Sequence, residues 1–303
     1  MGDTEGHSTD FRAYRRALGP DDFALPGDVS DFPGPDLINR ATWDSIVALP
    51  DDVSLRTSSE FGSVLQGAWS AWGGWVDLVH AIQRGADDVG DSPIAQAALD
   101  SSDDFQASTY IALVGFYRIA ISALRSVVEH TTIGLHLQLS RGDQESFVNW
   151  LEGDTDTRFG WAADFLPGHP VIRDYEDRLF QATGDRLFTQ KPRKSKSNDG
   201  AGLARRIFSE LSSLTHAGPR YSTASFWPSN GPVFVPEAFD RWYRALTHVY
   251  ALALIEVSMA CRSSSTLEKA TKSALTAFRE EVLRLLPQDP ADSSVLRGAL
   301  SLQ

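Results

Sequence analysis

The chain has 303 residues, of which 42% are hydrophobic, so it can bury a substantial core in one large domain or two ordinary ones. A formal net charge of −12 argues against a general affinity for nucleic acid or for anionic membrane surfaces. The single cysteine, Cys261, excludes an internal disulfide framework and a cysteine-based zinc site. An acidic N-terminus and the lack of a long uncharged apolar run predict a soluble, cytoplasmic protein without membrane contact. No Gly-rich phosphate loop, nucleophile elbow or His-Glu-x-x-His pattern occurs, so no cofactor or metal is predicted.

The N-terminal third begins with residues 1–55, which are predicted to form an extended arm that wraps over the core, because five prolines interrupt them. A helix is expected from Ser58 or Ser59 to about Arg84. An aromatic stripe at helical spacing is typical of a core face, and here it comprises Trp69, Trp72 and Trp75. The acidic stretch Asp87–Asp104 is predicted to be a loop.

The stretch Tyr110–Ser140 is predicted to be one continuous helix of about nine turns, because no proline interrupts its apolar periodicity. The helix is apolar nearly all round, which places it at the centre of the fold. One narrow polar line recurs every three or four residues, through Arg118, Ser122, Arg125, Glu129, Thr132 and His136. On a buried helix these groups must find partners inside the protein.

The remaining helices are predicted from apolar periodicity together with start and stop residues. Gly184 is the expected stop of one of them, and a Ser265-x-x-Glu268 capping box is the expected start of the last. The predicted helices are Gln144–Leu151, Pro170–Thr183, Leu203–His216, Glu237–Arg262 and Ser265–Leu286.

A small β-hairpin is predicted between two of these helices, with strands Ser225–Trp227 and Val233–Val235 around a Pro-Ser-Asn-Gly turn. The predicted fold class is therefore all-α. It is a single helical bundle over residues 56–287, with the hairpin as an insertion, an extended N-terminal arm, and a flexible tail over residues 288–303.

A basic cluster lies between two glycines, Gly184 and Gly202. Its members are Lys191, Arg193, Lys194 and Lys196. One interpretation is a solvated, mobile loop, which is what charge runs of this kind usually are. The alternative is a loop that contacts the phosphates of RNA on an otherwise acidic surface.

Arginine and histidine recur together at a spacing of five to seven residues in Arg125…His130 and Arg241…His248. This spacing marks the ribonucleases of the HEPN superfamily, but the composition gives about as many matches by chance. A separation of five residues places His130 about 140° around the helix from Arg125. Arg241 and His248 share a face opposite the apolar stripe of their helix, which predicts a solvated surface pair.

A combination of two short motifs is more informative. The segment Leu124–Glu129 (LRSVVE) lies on a long apolar helix, and Leu211–His216 (LSSLTH) lies at a later helix end. This order resembles a broad group of bacterial all-helical proteins described as HEPN-like, over roughly residues 110–260. The resemblance implies a helical bundle, frequent dimerisation, and a role in phage defence, toxin systems or nucleic-acid sensing. Active members cleave RNA without metal; this chain has Ser126 where Asn, Asp or His often follows the arginine.

The candidate catalytic residues are Arg125, Glu129 and His216, and a polar pocket could also include Arg118, His130, His136 and Glu256. Each also has a structural explanation. Arg125 and Glu129 are one turn apart and can form an ion pair that cross-links the core. A histidine at a helix C-terminus such as His216 is favoured electrostatically when protonated. Glu256, in an apolar run, needs a cationic partner, with Arg118 or Arg125 as candidates, or a raised pKa.

Two functional hypotheses stay open. As an enzyme, the chain would be a HEPN-like, metal-independent endoribonuclease of a bacterial defence or toxin-type system. A histidine would act as general acid or base, an arginine would stabilise the phosphorane, and the basic loop would hold RNA. As a non-enzyme, it would be a helical sensor or interaction module that binds a partner protein or a second copy of itself. The acidic charge favours the second hypothesis, and the resemblance favours the first.

Overall fold

A computed structural model describes residues 44–86, 92–140, 144–153, 158–189, 201–215, 232–288 and 291–303. The chain divides into two units, Met1–Leu49 and Pro50–Gln303. In the first unit the structure describes a short π-helix, Asp44–Ala48, and the first residue of the helix that follows it. The predicted wrapping arm over residues 1–55 lies mostly outside the described residues, and its last seven residues are helical.

The all-α prediction is confirmed, because all regular structure in the described residues is helical. In the described ranges ten α-helices follow one another, with a 3-10 turn, Leu166–Gly168, after the fifth. They are α1 (Leu49–Gly85), α2 (Pro93–Leu113), α3 (Tyr117–Leu139), α4 (Gln144–Leu151), α5 (Phe159–Phe165), α6 (Pro170–Thr183), α7 (Leu203–Thr215), α8 (Pro236–Cys261), α9 (Ser265–Leu285) and α10 (Ala291–Ser301).

Two helices, α3 and α8, form the centre of the fold. Helix α3 packs against α2, α5, α7 and α8, and helix α8 packs in turn against α9 and α10. Every residue of α8 from 246 to 261 is buried. By length and composition α8 is also apolar enough to cross a membrane, with a mean hydropathy of 1.2 in its most apolar window, but 89% of that window is buried inside the fold. This burial is typical of the core helix of a folded domain.

The predicted continuous helix Tyr110–Ser140 is wrong at one point, because α2 ends at Leu113 and α3 begins at Tyr117. Gly115 has a φ of +87° and ends α2. Its N–H donates to the Ala112 carbonyl oxygen, and the Phe116 N–H donates to that of Ile111. These two bonds are a Schellman motif, which satisfies the last carbonyl groups of a helix. Gly115 therefore ends helix α2 and does not continue it into α3.

The predicted β-hairpin is not supported. Its first strand, Ser225–Trp227, lies outside the described residues, and Val233–Val235 forms no strand. This segment instead lies against the junction between α2 and α3. A Cβ on Gly115 would come within 2.5 Å of the Val233 carbonyl oxygen, and the Val235 N–H donates to the Tyr117 hydroxyl at 3.4 Å. Its extended backbone therefore faces a helix junction in place of a partner strand.

The predicted acidic loop is also wrong from residue 93 onwards, because α2 begins there. Pro93 occupies the first turn, where its missing N–H costs nothing, and Ile94, Ala97 and Phe105 are buried. The tryptophan face is only partly as predicted. Trp75 is fully buried, and its Nε1 donates to the Ala98 carbonyl oxygen at 3.0 Å, whereas 50% of Trp69 is exposed.

The predicted flexible tail over residues 288–303 is wrong, because most of it is helical. Residues 291–301 form helix α10, and its Leu296, Ala299 and Leu300 are fully buried. Helix α9 begins at the predicted residue, but its N-cap is Ser264 and no side chain caps it, so the predicted Ser265-x-x-Glu268 box does not form. The helices predicted at Gln144–Leu151 and Pro170–Thr183 have the predicted bounds.

The junction between α2 and α3 generates a prediction for Gly115→Ala. A left-handed backbone and a Cβ clash with the Val233 main chain should together lower the free energy of unfolding by about 2–5 kcal/mol. The control is Gly73→Ala on α1, where nothing lies within 4 Å of an added Cβ. That change should stabilise the protein by up to about 1 kcal/mol. Urea unfolding of both variants checks this, and a Gly115→Ala protein as stable as the wild type contradicts it.

Candidate functional site

Arg125, the first candidate catalytic residue, links helices α3 and α7 at the edge of the core. Its terminal nitrogen lies 3.2 Å from Glu129 Oε2 on the same helix, and its Nε donates to Ser212 Oγ on α7 at 3.1 Å. Its guanidinium lies 4.7 Å from the ring centre of Phe208, also on α7. The Arg125 and Glu129 side chains are 33% and 27% exposed, so this is a half-buried cross-link and not a pair in the deep core.

Glu256 on α8 is the most deeply buried residue of the predicted pocket. It is fully buried, and neither Arg118 nor Arg125 forms an ion pair with it, contrary to the expectation of a cationic partner. Its Oε1 accepts a hydrogen bond from Thr132 at 2.7 Å, and its Oε2 lies 2.5 Å from Thr131 Oγ1. Both threonines belong to α3, so this carboxyl group joins the two central helices.

The hydrogen bonds around Thr131 indicate the protonation state of Glu256. Thr131 Oγ1 also lies 2.9 Å from the Val127 carbonyl oxygen, which can only accept a hydrogen bond. The Thr131 hydroxyl has only one proton. If it donates this proton to the Val127 carbonyl oxygen, its hydrogen bond with Glu256 Oε2 requires a proton on the carboxyl group. Burial raises the pKa of Glu256 to about 8, against smaller lowering contributions from the two threonine hydroxyls. With its pKa raised to about 8, the Glu256 carboxyl group is mostly protonated at pH 7.

The two candidate histidines of α3 point to different neighbours. His130 Nδ1 lies 3.6 Å from Asp104 Oδ2 on α2, which is an ion-pair distance but too long for a hydrogen bond. Burial raises the pKa of Asp104, and His130 opposes that shift. His136 is only 8% exposed, so this last residue of the polar line is buried in the fold. Its ring meets Trp161 edge-on at 4.4 Å between centres, and Phe165 is the next aromatic neighbour.

The predicted convergence of these residues on one polar pocket does not occur among the described residues. Arg125 and Glu129 face α7, His130 faces Asp104 on α2, and His136 lies among aromatic rings of α5. Arg118, in the first turn of α3, is half-buried and forms no ion pair with any carboxylate that the structure describes. The third catalytic candidate, His216, and the basic cluster Lys191, Arg193, Lys194 and Lys196 lie outside the described residues.

Two buried titratable residues were not anticipated as such. Glu176 on α6 accepts the N–H groups of Leu187 and Phe188 at 3.1 and 2.9 Å, so it holds the segment after that helix. Burial raises its pKa to about 7 against these two hydrogen bonds. His248 is buried and not on a solvated face as predicted. Its Nε2 lies 2.9 Å from Ser293 Oγ on α10, and burial lowers its pKa.

One surface cluster was also missed, a line of basic side chains on α9. Its sequence signal is a recurrence every three or four residues on a helix with an otherwise polar outer face. The basic residues of this line are Lys269, Lys272 and Arg279, and the hydroxyl residues Ser265 and Thr276 lie on the same face. In the described part of the chain, no group of three or more His, Cys, Asp or Glu residues is placed to hold a metal ion.

The fold and these contacts define an all-α protein built around two central helices. In comparisons with protein-family models, with curated proteins and with solved structures, nothing matches the chain. The resemblance to HEPN-like proteins stays a prediction from the two motifs.

The Arg125 cross-link generates a prediction for stability. Arg125→Ala removes an ion pair, a hydrogen bond to Ser212 and the contact with Phe208, so the free energy of unfolding should fall by about 1–3 kcal/mol. Glu129→Ala removes only the half-exposed pair and should cost less than about 1 kcal/mol. Arg118→Ala is the control, with an expected change within about 0.5 kcal/mol. Equal urea midpoints for the Arg125→Ala and Arg118→Ala proteins would rule out the cross-link.

Glu256 generates a prediction for the pH dependence of stability. The folded protein keeps a proton up to about pH 8 that the unfolded chain releases near its ordinary pKa of 4.5. Stability from this group is therefore complete below pH 4.5 and is lost as pH rises towards 8, by up to about 1.4 kcal/mol per pH unit.

The variant Glu256→Gln has no such proton and still offers one donor and one acceptor to the threonines. Its stability relative to the wild type should therefore rise steadily between pH 5 and 8. Urea unfolding at each pH unit measures the difference. Parallel stability profiles for the two proteins would show that Glu256 is ionised in the fold.

Proposed function

We propose that this chain is a non-catalytic, cytoplasmic helical sensor or protein-interaction module of the HEPN-like type, acting in a bacterial defence or toxin-type system. It would bind a partner protein or a second copy of itself. The observation that supports the proposal is the use of the polar residues of α3 in internal contacts. Residues that join helices to one another are not available to a substrate.

Three of the described candidates have such an internal role. Arg125 has its charge opposed by Glu129 and its Nε bonded to Ser212, so its hydrogen-bonding groups are partly occupied before any phosphate arrives. Glu256 is fully buried and shares its carboxyl group with two threonines. His136 is 8% exposed and lies against aromatic rings. General acid–base catalysis needs a titrating group within hydrogen-bond reach of its substrate, and none of these three offers one.

A metal-independent endoribonuclease is the second candidate function, and one observation favours it. Arg125 is one-third exposed and contacts Ser212 on α7, and α7 leads along the sequence to His216 four residues later. In this hypothesis Arg125 stabilises the pentavalent phosphate and His216 is the general acid or base. The cluster Lys191–Lys196 then holds the RNA backbone.

The experiment that separates the two candidates is an RNA cleavage assay with the purified full chain in the presence of a chelator. The module hypothesis predicts that RNA stays intact, and that wild type and His216→Ala have the same effect on cell growth when expressed. Metal-independent cleavage that disappears in a folded His216→Ala protein would establish the nuclease. A bell-shaped pH–rate profile lost with His216 would support the same conclusion.

RNA binding without cleavage is tested in the same preparation. If the basic cluster contacts phosphates, binding weakens steeply as salt rises, and changing Lys191, Arg193, Lys194 and Lys196 to Ser flattens that slope. An unchanged slope assigns the cluster to a solvated connector. The variant's urea midpoint shows whether the fold is retained.

A further inference from the structure

A cleft lies between helices α8 and α9, away from the polar line of α3. One wall is the basic line of α9, and the other is the last turn of α8, which ends at Cys261 and continues to Arg262. The cleft has a volume of about 380 Å³. Its lining residues are Ser258, Cys261, Arg262, Ser265, Glu268, Lys269, Lys272, Leu275, Thr276, Arg279 and Gln303.

The charge of this cleft is opposite to that of the chain. Four lining residues are cationic, namely Arg262, Lys269, Lys272 and Arg279, and one, Glu268, is anionic, whereas the chain carries a net charge of −12. The chain has only five lysines, and two of them lie three residues apart in this cleft. A lysine ammonium is a compact charge with three donors, which suits phosphate oxygens approached from varying directions.

The cations of the cleft differ from half of the arginines in the described part of the chain, which have a carboxylate partner. Eight arginines elsewhere form ion pairs, namely Arg56, Arg125, Arg178, Arg186, Arg205, Arg206, Arg241 and Arg284. Lys269, Lys272 and Arg279 lie within ion-pair distance of no Asp or Glu carboxylate that the structure describes, whereas Arg262 already has an oxygen partner. Arg262 donates to the main-chain oxygen of Gln303 at 2.7 Å. Neighbouring cations without anions repel one another, so an added anion is favoured there.

Two further features suit an anion. Ser265 is the first residue of the 21-residue helix α9, whose N-terminal end carries a partial positive charge, and no side chain caps its free N–H groups. Burial raises the pKa of the Cys261 thiol to about 12, so the one cysteine of the lining adds no negative charge. Glu268 is thus the only acidic residue of the lining.

We propose that this cleft binds a compact polyanion that carries two or more phosphate groups. Lys269 and Arg279 are ten residues apart, or about 15 Å along the helix, so one phosphate does not reach all four cations. The volume is near the lower end of the roughly 300–1,000 Å³ typical of ligand pockets. The lining has no aromatic side chain on which a base could stack, which favours a phosphorylated small molecule over single-stranded nucleic acid.

If the chain is a sensor as proposed, this cleft would be its ligand site, and the ligand would be a polyanion. The cleft's role in sensing rests on the proposed function, whereas polyanion binding itself does not. RNA cleavage would overturn the non-catalytic proposal and leave the cleft untouched. Failure of polyanion binding would overturn the cleft proposal and leave the non-catalytic module in place.

The test is calorimetric titration of the full chain with pyrophosphate and with tripolyphosphate at constant ionic strength. Wild type should bind both, and tripolyphosphate more tightly because it reaches more cations. The double variant Lys269→Gln/Lys272→Gln should weaken binding by about tenfold or more, and its urea midpoint should not change, since both side chains are exposed. Glu268→Gln should tighten binding a few-fold by removing the one anion of the lining.

The matched control removes two exposed cations outside the cleft, as Arg84→Gln/Arg173→Gln, and should leave the affinity at the wild-type value. Equal weakening by the two double variants would mean a non-specific charge effect and would overturn the site. Absence of binding by wild type would do the same, as would tighter binding of a 12-nucleotide RNA that is lost in the cleft variant. Vesicles with and without a phosphorylated inositol lipid distinguish a lipid headgroup from a free polyanion.

Discussion

The contact between α3 and α8 is the constraint on which the rest of the structure depends. Helix α8 is buried on all sides over residues 246–261, and yet it carries Glu256 in that span. A carboxyl group at such a place is tolerated only with its oxygens hydrogen-bonded, and Thr131 and Thr132 of α3 meet both of them. The apolar surfaces of two helices can pack in several registers, but these two hydrogen bonds select one.

Polar residues elsewhere in the core have a similar role of fixing neighbouring helices. Trp242 Nε1 on α8 donates to Ser108 Oγ on α2, and that hydroxyl donates to the Ala120 carbonyl oxygen on α3. Glu176 holds the chain after α6, and His248 meets Ser293 on α10. Arg125 joins α3 to α7 by the same principle at the half-exposed edge. Buried and half-buried polar residues of this protein thus mainly fix which helices meet. The polar line of α3 follows this pattern, and that supports the proposal of a non-catalytic module.

The surface charges show a different pattern. Eight described arginines meet a carboxylate, whereas Lys269, Lys272 and Arg279 of the α8–α9 cleft do not. Pairing across the surface of an acidic protein is easily achieved, because 40 carboxylate residues outnumber 28 basic ones. Neighbouring cations without such partners favour an external anion, and this is the basis of the proposal for the cleft.

The sequence by itself determined the helix class, the bounds of several helices and the central position of the segment that forms α3, because apolar periodicity and stop residues such as Gly184 act within one or two turns. It did not show that residues 246–261 of α8 are buried on all sides, because their spacing predicts a solvated face at His248. It did not determine that Gly115 ends a helix, since a glycine is also tolerated inside one; the Schellman bonds and the Val233 backbone against it decide that. It likewise named Arg125, Glu129, His136 and Glu256 without showing that they face different neighbours. Partner choice depends on how helices distant in sequence pack, and that information is absent from the spacing along any single helix. Only the tertiary structure could therefore separate the α3 polar residues from one another and bring Arg262 beside the lysines of α9.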